Sequence, residues 1–318
     1  MRKLYQNVLF IIVITAIFLL GGCSSKSDEK ATESKGEKTV IKIAYLPLTH
    51  ALPLFQEVEL LKDTPDSNIT IELVKFGSWP ELLDALKAGR VDGASVLIEL
   101  AMKTKEQGIG LKAVALGHRD GNAIIVANDI NSAADLKGKK FAIPNKQSSH
   151  NILLNDMMVA NGLSIDDVEV IELAPAEMPA ALAGGQISGY SVAEPFGAKA
   201  VELGVGKVLY QSGELWEDSI CCGLVLTDEF IDNNKTATDS FIDQYLAAGD
   251  LLTLETAKEV AGKYLGQEKA VLDLSLEWIS FNDLTISKDI YSTLTDKIIT
   301  YKLSETTPTY EDFIYQPQ

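Results

Sequence analysis

Three histidines, a pair of adjacent cysteines, a tryptophan in front of a proline and a glutamate in front of another carry most of the chemistry this chain has to offer. His50 follows Thr49 in Pro47-Leu48-Thr49-His50-Ala51, and Trp79 stands in Gly77-Ser78-Trp79-Pro80-Glu81. His150 follows Ser149 in Asn145-Lys146-Gln147-Ser148-Ser149-His150-Asn151, Glu194 precedes Pro195, and Cys221-Cys222 leads into Gly223. An indole can stack on a flat solute, and hydroxyl and imidazole groups can hydrogen-bond one. Ser78-x-x-Glu81 is a capping-box pattern, and Ser148 or Ser149 can cap the helix that follows, so two helix starts fall beside these residues. Free N–H groups and the positive dipole end at such starts suit a small anion. A Glu194 carboxylate would repel an anion unless paired or protonated. On a regular strand Cys221 and Cys222 point to opposite faces, so one at most, taken as Cys222, faces a cleft. His118, in Gly117-His118-Arg119-Asp120, reads as a solvated turn residue. The candidate binding set is Thr49, His50, Trp79, Ser149, His150, Glu194 and Cys222.

Nothing in this set reads as a catalytic centre. The chain has no Gly-x-Ser-x-Gly elbow, no His-Glu-x-x-His, no phosphate-binding Gly-Lys-Ser/Thr loop and no Cys-x-x-Cys. A thiol–histidine hydrolase built from Cys222 and His150 would require the two to meet in the fold. Neither a metal nor a cofactor is expected.

The elements that position these residues alternate. Strand patterns at 40–46, 69–76, 112–116, 123–127, 140–143, 168–173 and 223–227 are separated by helical patterns, and from 236 onward the pattern is helical only. Such alternation predicts open α/β layers with mainly parallel strands. In such layers ligands sit beyond the carboxyl ends of the strands, where the loops above fall. Residues 85–96 echo at 181–192 with six of twelve identities, each copy reading as a helix that ends at a glycine and runs into a strand. The echo predicts two lobes. We place lobe one at 39–124 plus 224–318 and lobe two at 125–223, inserted within it, with crossings at 123–128 and 221–228 forming a hinge.

The chain has 318 residues and a net charge of −17 from 28 basic and 45 acidic side chains. Its length suits two domains, and its pI near 4.6 argues against nucleic acid as a partner. The N-terminus reads separately. Arg2 and Lys3 precede a short apolar run over 8–20 and then Gly21-Gly22-Cys23, the layout of a lipoprotein signal peptide over 1–22 with lipidation, such as palmitate, at Cys23. Residues 23–38 lack large apolar side chains and read as a disordered tether.

The segment Tyr45-Leu46-Pro47-Leu48-Thr49-His50-Ala51-Leu52-Pro53-Leu54, followed in order by Ser78-Trp79-Pro80, Ser149-His150-Asn151, Gly189-Tyr190-Ser191-Val192-Ala193-Glu194-Pro195-Phe196 and Cys221-Cys222-Gly223, resembles the nitrate, sulfonate, taurine and bicarbonate solute-binding proteins of ABC importers. Those are related to thiamine-pyrimidine binding proteins. The resemblance covers roughly residues 40–260. It implies a periplasmic-binding-protein type II-like fold that closes on its ligand by hinge motion. Together with the lipoprotein signal, it implies an extracytoplasmic, lipid-anchored monomer that captures a small solute and hands it to membrane permease subunits. Trp79 and His150 match an aromatic and a histidine of the oxyanion pocket in the nitrate and bicarbonate branch. That branch has a lysine in the second hinge region, where this chain reads Ile220-Cys221-Cys222-Gly223. The departure shifts the expected solute to an organic anion such as a sulfonate, with a thiamine-pyrimidine precursor or other small heterocycle as the alternative. A pyrimidine-forming or thiol-dependent enzyme on the same fold is a further alternative, although the cysteine-rich iron motif of the former is not reproduced.

Overall fold

The computed structural model describes residues 38–316. The expected signal peptide, Cys23 and the tether up to residue 37 lie outside them. The strands in chain order are β1 (Thr39–Tyr45), β2 (Ile69–Lys75), β3 (Gly93–Leu97), β4 (Leu111–Leu116), β5 (Arg119–Asp120), β6 (Asn122–Val126), β7 (Lys140–Ile143), β8 (Glu169–Glu172), β9 (Gly189–Ala193), β10 (Lys207–Gln211), β11 (Cys222–Thr227) and β12 (Ile279–Ser280). Ten of them build two five-stranded sheets, ordered β2-β1-β3-β11-β4 and β10-β6-β9-β7-β8, and β5 pairs with β12. The α/β, two-lobed class expected from the sequence is present.

β1 runs parallel to β2 and β3, and β7 runs parallel to β8 and β9. The expectation of mainly parallel strands needs one correction. β11 is antiparallel to both its neighbours, and so is β6. Each enters its sheet from the other lobe instead of over a helical crossover, so the constraint that keeps βαβ strands parallel does not act on it. β6 lies wholly in the second sheet and β11 in the first, so the chain passes from one sheet to the other over 117–121 and back over 212–221. β10 escaped the sequence reading because it is a short edge strand, partly exposed along its whole length.

The internal echo has a physical cause. Gly89 and Gly185 follow the helices Trp79–Lys87 and Met178–Ala183 with φ of +63° and +65°, the left-handed stop expected of them. Four residues later, Gly93 and Gly189 open β3 and β9, the central strands of their sheets. A Cβ at Gly93 would lie 2.3 Å from the Val225 carbonyl oxygen, and one at Gly189 would lie 2.9 Å from the Phe141 ring. Both strands are buried at every position. The same close packing is solved twice.

The helices Lys235–Asp250 and Leu254–Tyr264 pack on the helix Leu52–Lys62, with Phe55 stacked on Tyr264 at 4.6 Å, and so thicken lobe one. Fully buried rings such as Phe55, Phe241 and Tyr245 each contribute roughly 1.5–3 kcal/mol of apolar burial. The helix Lys288–Thr300 reaches across to the other lobe. Its Lys297 Nζ lies 3.0 and 2.8 Å from the two carboxylate oxygens of Asp156, on the helix Ser149–Ala160, and Tyr301 donates to the same carboxylate.

Candidate functional site

The loops that leave the strands of both sheets meet between the lobes. Thr49 is the clearest case: its N–H and its hydroxyl both donate to the Glu194 carbonyl oxygen, each at 3.0 Å, tying the loop after β1 to the end of β9. Beside this contact lies a cavity of about 230 Å³. Leu46, Pro47 and Leu48 line it from the loop after β1, Lys75, Phe76 and Gly77 from the end of β2, and Pro175, Ala176 and Phe196 from the far lobe. Most of the lining residues are apolar, and Lys75 is the one charged residue among them. A larger hollow of about 360 Å³ near Lys112 and Asp239 lies on the outside of lobe one, away from these strand ends.

The candidate residues divide around that cavity. Trp79 is only 2 % exposed and packs in the core beneath the loop, with its Nε1 unpartnered among the described residues. The cavity is therefore lined by its neighbours Phe76 and Gly77. The capping box expected from Ser78 and Glu81 does not form, since Ser78 has the extended backbone of an N-cap but makes no side-chain bond to the helix. Ser148 also leaves its helix uncapped, because its hydroxyl donates to Asn145 O at 2.6 Å instead. Glu194 turns toward the helix Phe196–Glu202, where one carboxyl oxygen accepts from the Ala198 N–H at 3.1 Å. Burial pushes its pKa up to about 8, so the group is neutral below that pH and the repulsion foreseen for an anion does not apply.

His50, Ser149, His150 and Cys222 are fully or almost fully buried and converge on a second place, deeper at the hinge. His50 Nε2 is 2.9 Å from Gly121 O, so it carries the proton and donates, which leaves Nδ1 as a lone pair 3.4 Å from Cys222 Sγ. The ring lies almost flat on His118, with 3.4 Å between centroids and 28° between planes. His118 is thus no solvated turn residue. It is fully buried, and desolvation, followed by the charge of His50, lowers its pKa to about 4. The expectation that Cys221 and Cys222 diverge also fails. β11 begins at Cys222, so strand alternation does not yet hold at Cys221, and the two sulfurs lie 3.9 Å apart as free thiols. Cys221 Sγ is 3.9 Å from His150 Nε2, so the thiol and imidazole pictured across the fold do come close, although it is Cys221 that approaches.

Electrostatics in this cluster are strong. Burial alone would raise Cys221, but the hydrogen bond from Cys222 and the two imidazoles of His150 and His118 outweigh it and bring the thiol well below its ordinary value. Cys222 moves the opposite way, raised by burial and by its neighbour. Glu99, buried beside Ser149, is held well above the usual carboxylate range by desolvation first and by Cys221 second. Sequence reasoning missed His118, Cys221, Glu99 and Lys75. Of these only Lys75 had a legible signal, its place at the end of a strand whose loop was already a candidate.

The family model of the NMT1-like family matches residues 34–266. The chain belongs to the NMT1-like family. It is 26 % identical over 274 residues to the nitrate/nitrite binding protein NrtA of Nostoc, covering 73 % of this chain and 62 % of that protein. It is 30 % identical over 207 residues to an Escherichia coli protein named for binding aliphatic sulfonates, covering 64 % of this chain and 63 % of that one. The chain therefore spans somewhat less than two thirds of these two relatives. Among solved structures, this NMT1-like chain superposes with a TM-score of 0.84 and 39 % identity on the ligand-binding component of an ABC-type import system from Staphylococcus aureus with zinc bound, covering 87 % of this chain and 97 % of that one.

Proposed function

We propose that this chain is the solute-binding component of an ABC importer and that it captures a small organic anion, such as a sulfonate, between its lobes. The cavity between the strand ends carries this reading. Its walls from Leu48, Phe76 and Phe196 suit an apolar body, and Lys75 supplies one cation for an acidic group. A bare nitrate or bicarbonate would leave most of that apolar wall uncovered. The relatives support the transport role, being binding proteins named for nitrate or sulfonates and the ligand-binding component of an import system. Capture without chemistry is the corresponding mechanism: the solute bridges the lobes, closure removes it from water, and the closed form meets the membrane permease. The Cys23 lipid anchor and the extracytoplasmic location belong to the same reading.

A thermal-shift panel on the purified protein tests it, with alkyl and aryl sulfonates, taurine, nitrate, bicarbonate and aminopyrimidines as separate arms. A ligand at 100 times its Kd adds about 2.7 kcal/mol, which raises the midpoint by several degrees. A shift with sulfonates is the expected result. A shift with nitrate, bicarbonate or aminopyrimidines alone contradicts the organic-anion assignment, and conversion of any compound contradicts the binding role.

A further inference from the structure

The hinge cluster has no part in the solute cavity, whose lining includes none of His50, His118, Cys221 or Cys222. One ligand atom from each of these four residues lies within 4.8 Å of all the others, and all four side chains are buried. We propose that this cluster is a Cys₂His₂ site for a single thiophilic d¹⁰ cation of the zinc(II) class, held where the two hinge crossings meet lobe one.

Two of the contacts in the cluster already have the spacing of a tetrahedral site, within an overall spread of 4.8 Å. Zinc bonds of about 2.3 Å to sulfur and 2.0–2.1 Å to nitrogen place neighbouring ligands about 3.8 Å apart for two sulfurs and about 3.5 Å for sulfur and nitrogen. The two sulfurs here stand 3.9 Å apart, and His50 Nδ1 stands 3.4 Å from Cys222 Sγ. The supporting contact is also in place: His50 donates its other ring nitrogen to the Gly121 carbonyl oxygen, which fixes the tautomer with Nδ1 facing the thiols. His118 Nε2 accepts only a 3.3 Å contact from the Cys222 N–H, and its Nδ1 has no partner among the described residues.

Charge balance favours the same occupant. Two thiols and two stacked imidazoles in a dry site leave polar groups poorly satisfied, and a second imidazolium against the first would bury like charges. Two thiolates, two neutral imidazoles and one dication sum to zero. Binding releases the thiol protons to solvent, so affinity rises with pH. Soft sulfur and imidazole donors select Zn²⁺ over Mg²⁺ or Ca²⁺, which require oxygen ligands. The ligands come from the loop after β1, the first crossing, the last residue of the return crossing and the first residue of β11, so one ion would fasten both connecting segments to the first sheet. His150, from the second lobe, stands 3.9 Å from Cys221 Sγ and outside the tetrahedral set.

The test uses the purified protein, reduced and stripped with a chelator, then titrated with Zn²⁺ against a chromophoric competitor and separately with Co²⁺. One equivalent of Zn²⁺ is expected to bind with sub-micromolar Kd. Co²⁺ should give a sulfur-to-metal charge-transfer band together with intense visible bands of a tetrahedral site. Cys222→Ser should weaken Zn²⁺ by at least about 100-fold and abolish the charge-transfer band, and His118→Gln, a milder change, should weaken it by at least about 10-fold. Zn²⁺ binding weaker than micromolar, a cobalt spectrum without the sulfur band, or affinity unchanged in both variants overturns the assignment. Sulfonate binding is read separately, so failure of the solute reading leaves this result standing.

Discussion

Between the lobes, Leu46, Leu48, Phe76 and Phe196 enclose a cavity of about 230 Å³ with one lysine among its walls. At the hinge, His50, His118, Cys221 and Cys222 are all buried, with one ligand atom of each within 4.8 Å of the others. The first region is apolar and roomy, so it selects by shape and by a single charge. The second is polar and tight, and its sulfurs and ring nitrogens already stand near coordination spacing. The difference teaches that burial has two meanings in one interlobe interface. On the proposed reading, burial around the cavity removes water from a solute that comes and goes, whereas at the hinge it holds a fixed constellation of sulfurs and ring nitrogens.

Several changes break or sharpen this contrast. Lys75 is exposed at its strand end and makes no ion pair among the described residues, so Lys75→Glu should leave the fold intact while reversing the one charge in the cavity lining. Sulfonate affinity by calorimetry should fall on the order of tenfold to a hundredfold, with Zn²⁺ affinity unchanged. Equal losses at both places would show that the regions are one site. A smaller effect is expected from Asp156→Asn, which removes the carboxylate that Lys297 and Tyr301 reach across the lobes. Closure would then be less populated and solute affinity would drop about fivefold, in proportion to the competent fraction. An unchanged affinity would mean that this pair does not hold the closed form.

The smallest effect concerns pH. Glu57 is buried with both carboxyl oxygens unpartnered among the described residues, and desolvation holds its pKa well above 4.5. The folded state therefore keeps a proton that the unfolded chain releases near pH 4.5, so this group's contribution to stability declines as pH rises from that value toward the folded one. Glu194, raised to about 8, acts in the same direction. Glu57→Gln should raise the thermal midpoint by a few degrees at pH 8 and leave it nearly unchanged at pH 4. The same rise at both pH values would contradict the titration account.

Much of the scaffold was legible because its signals are local. Gly89 and Gly185 announced the helix stops, and β7 was read to its residue limits from the apolar pattern of 140–143. His50, His150 and Cys222 were singled out from their loops, and they do converge. What stayed hidden depends on long-range approach. His118 joins the cluster only because the first crossing passes against the start of β11, 104 residues later, and His50 and Cys222 are 172 residues apart. Nothing local distinguishes Gly117-His118 from a solvated turn. Cys221 was misread for the opposite reason, since the alternation rule is sound but was applied one residue before the strand begins. Trp79 shows a third kind of limit. An aromatic beside a strand end can line a cavity or sit beneath it, and only packing decides.

The central claim is capture of an organic anion in the interlobe cavity. A crystal structure of the protein with a saturating aryl sulfonate tests it most directly. The account predicts the sulfonate oxygens within hydrogen-bond distance of Lys75 Nζ and the ring between Leu48, Phe76 and Phe196. Electron density for the ligand elsewhere, at the outer hollow near Lys112 or at the hinge cysteines, with the interlobe cavity empty, would contradict it.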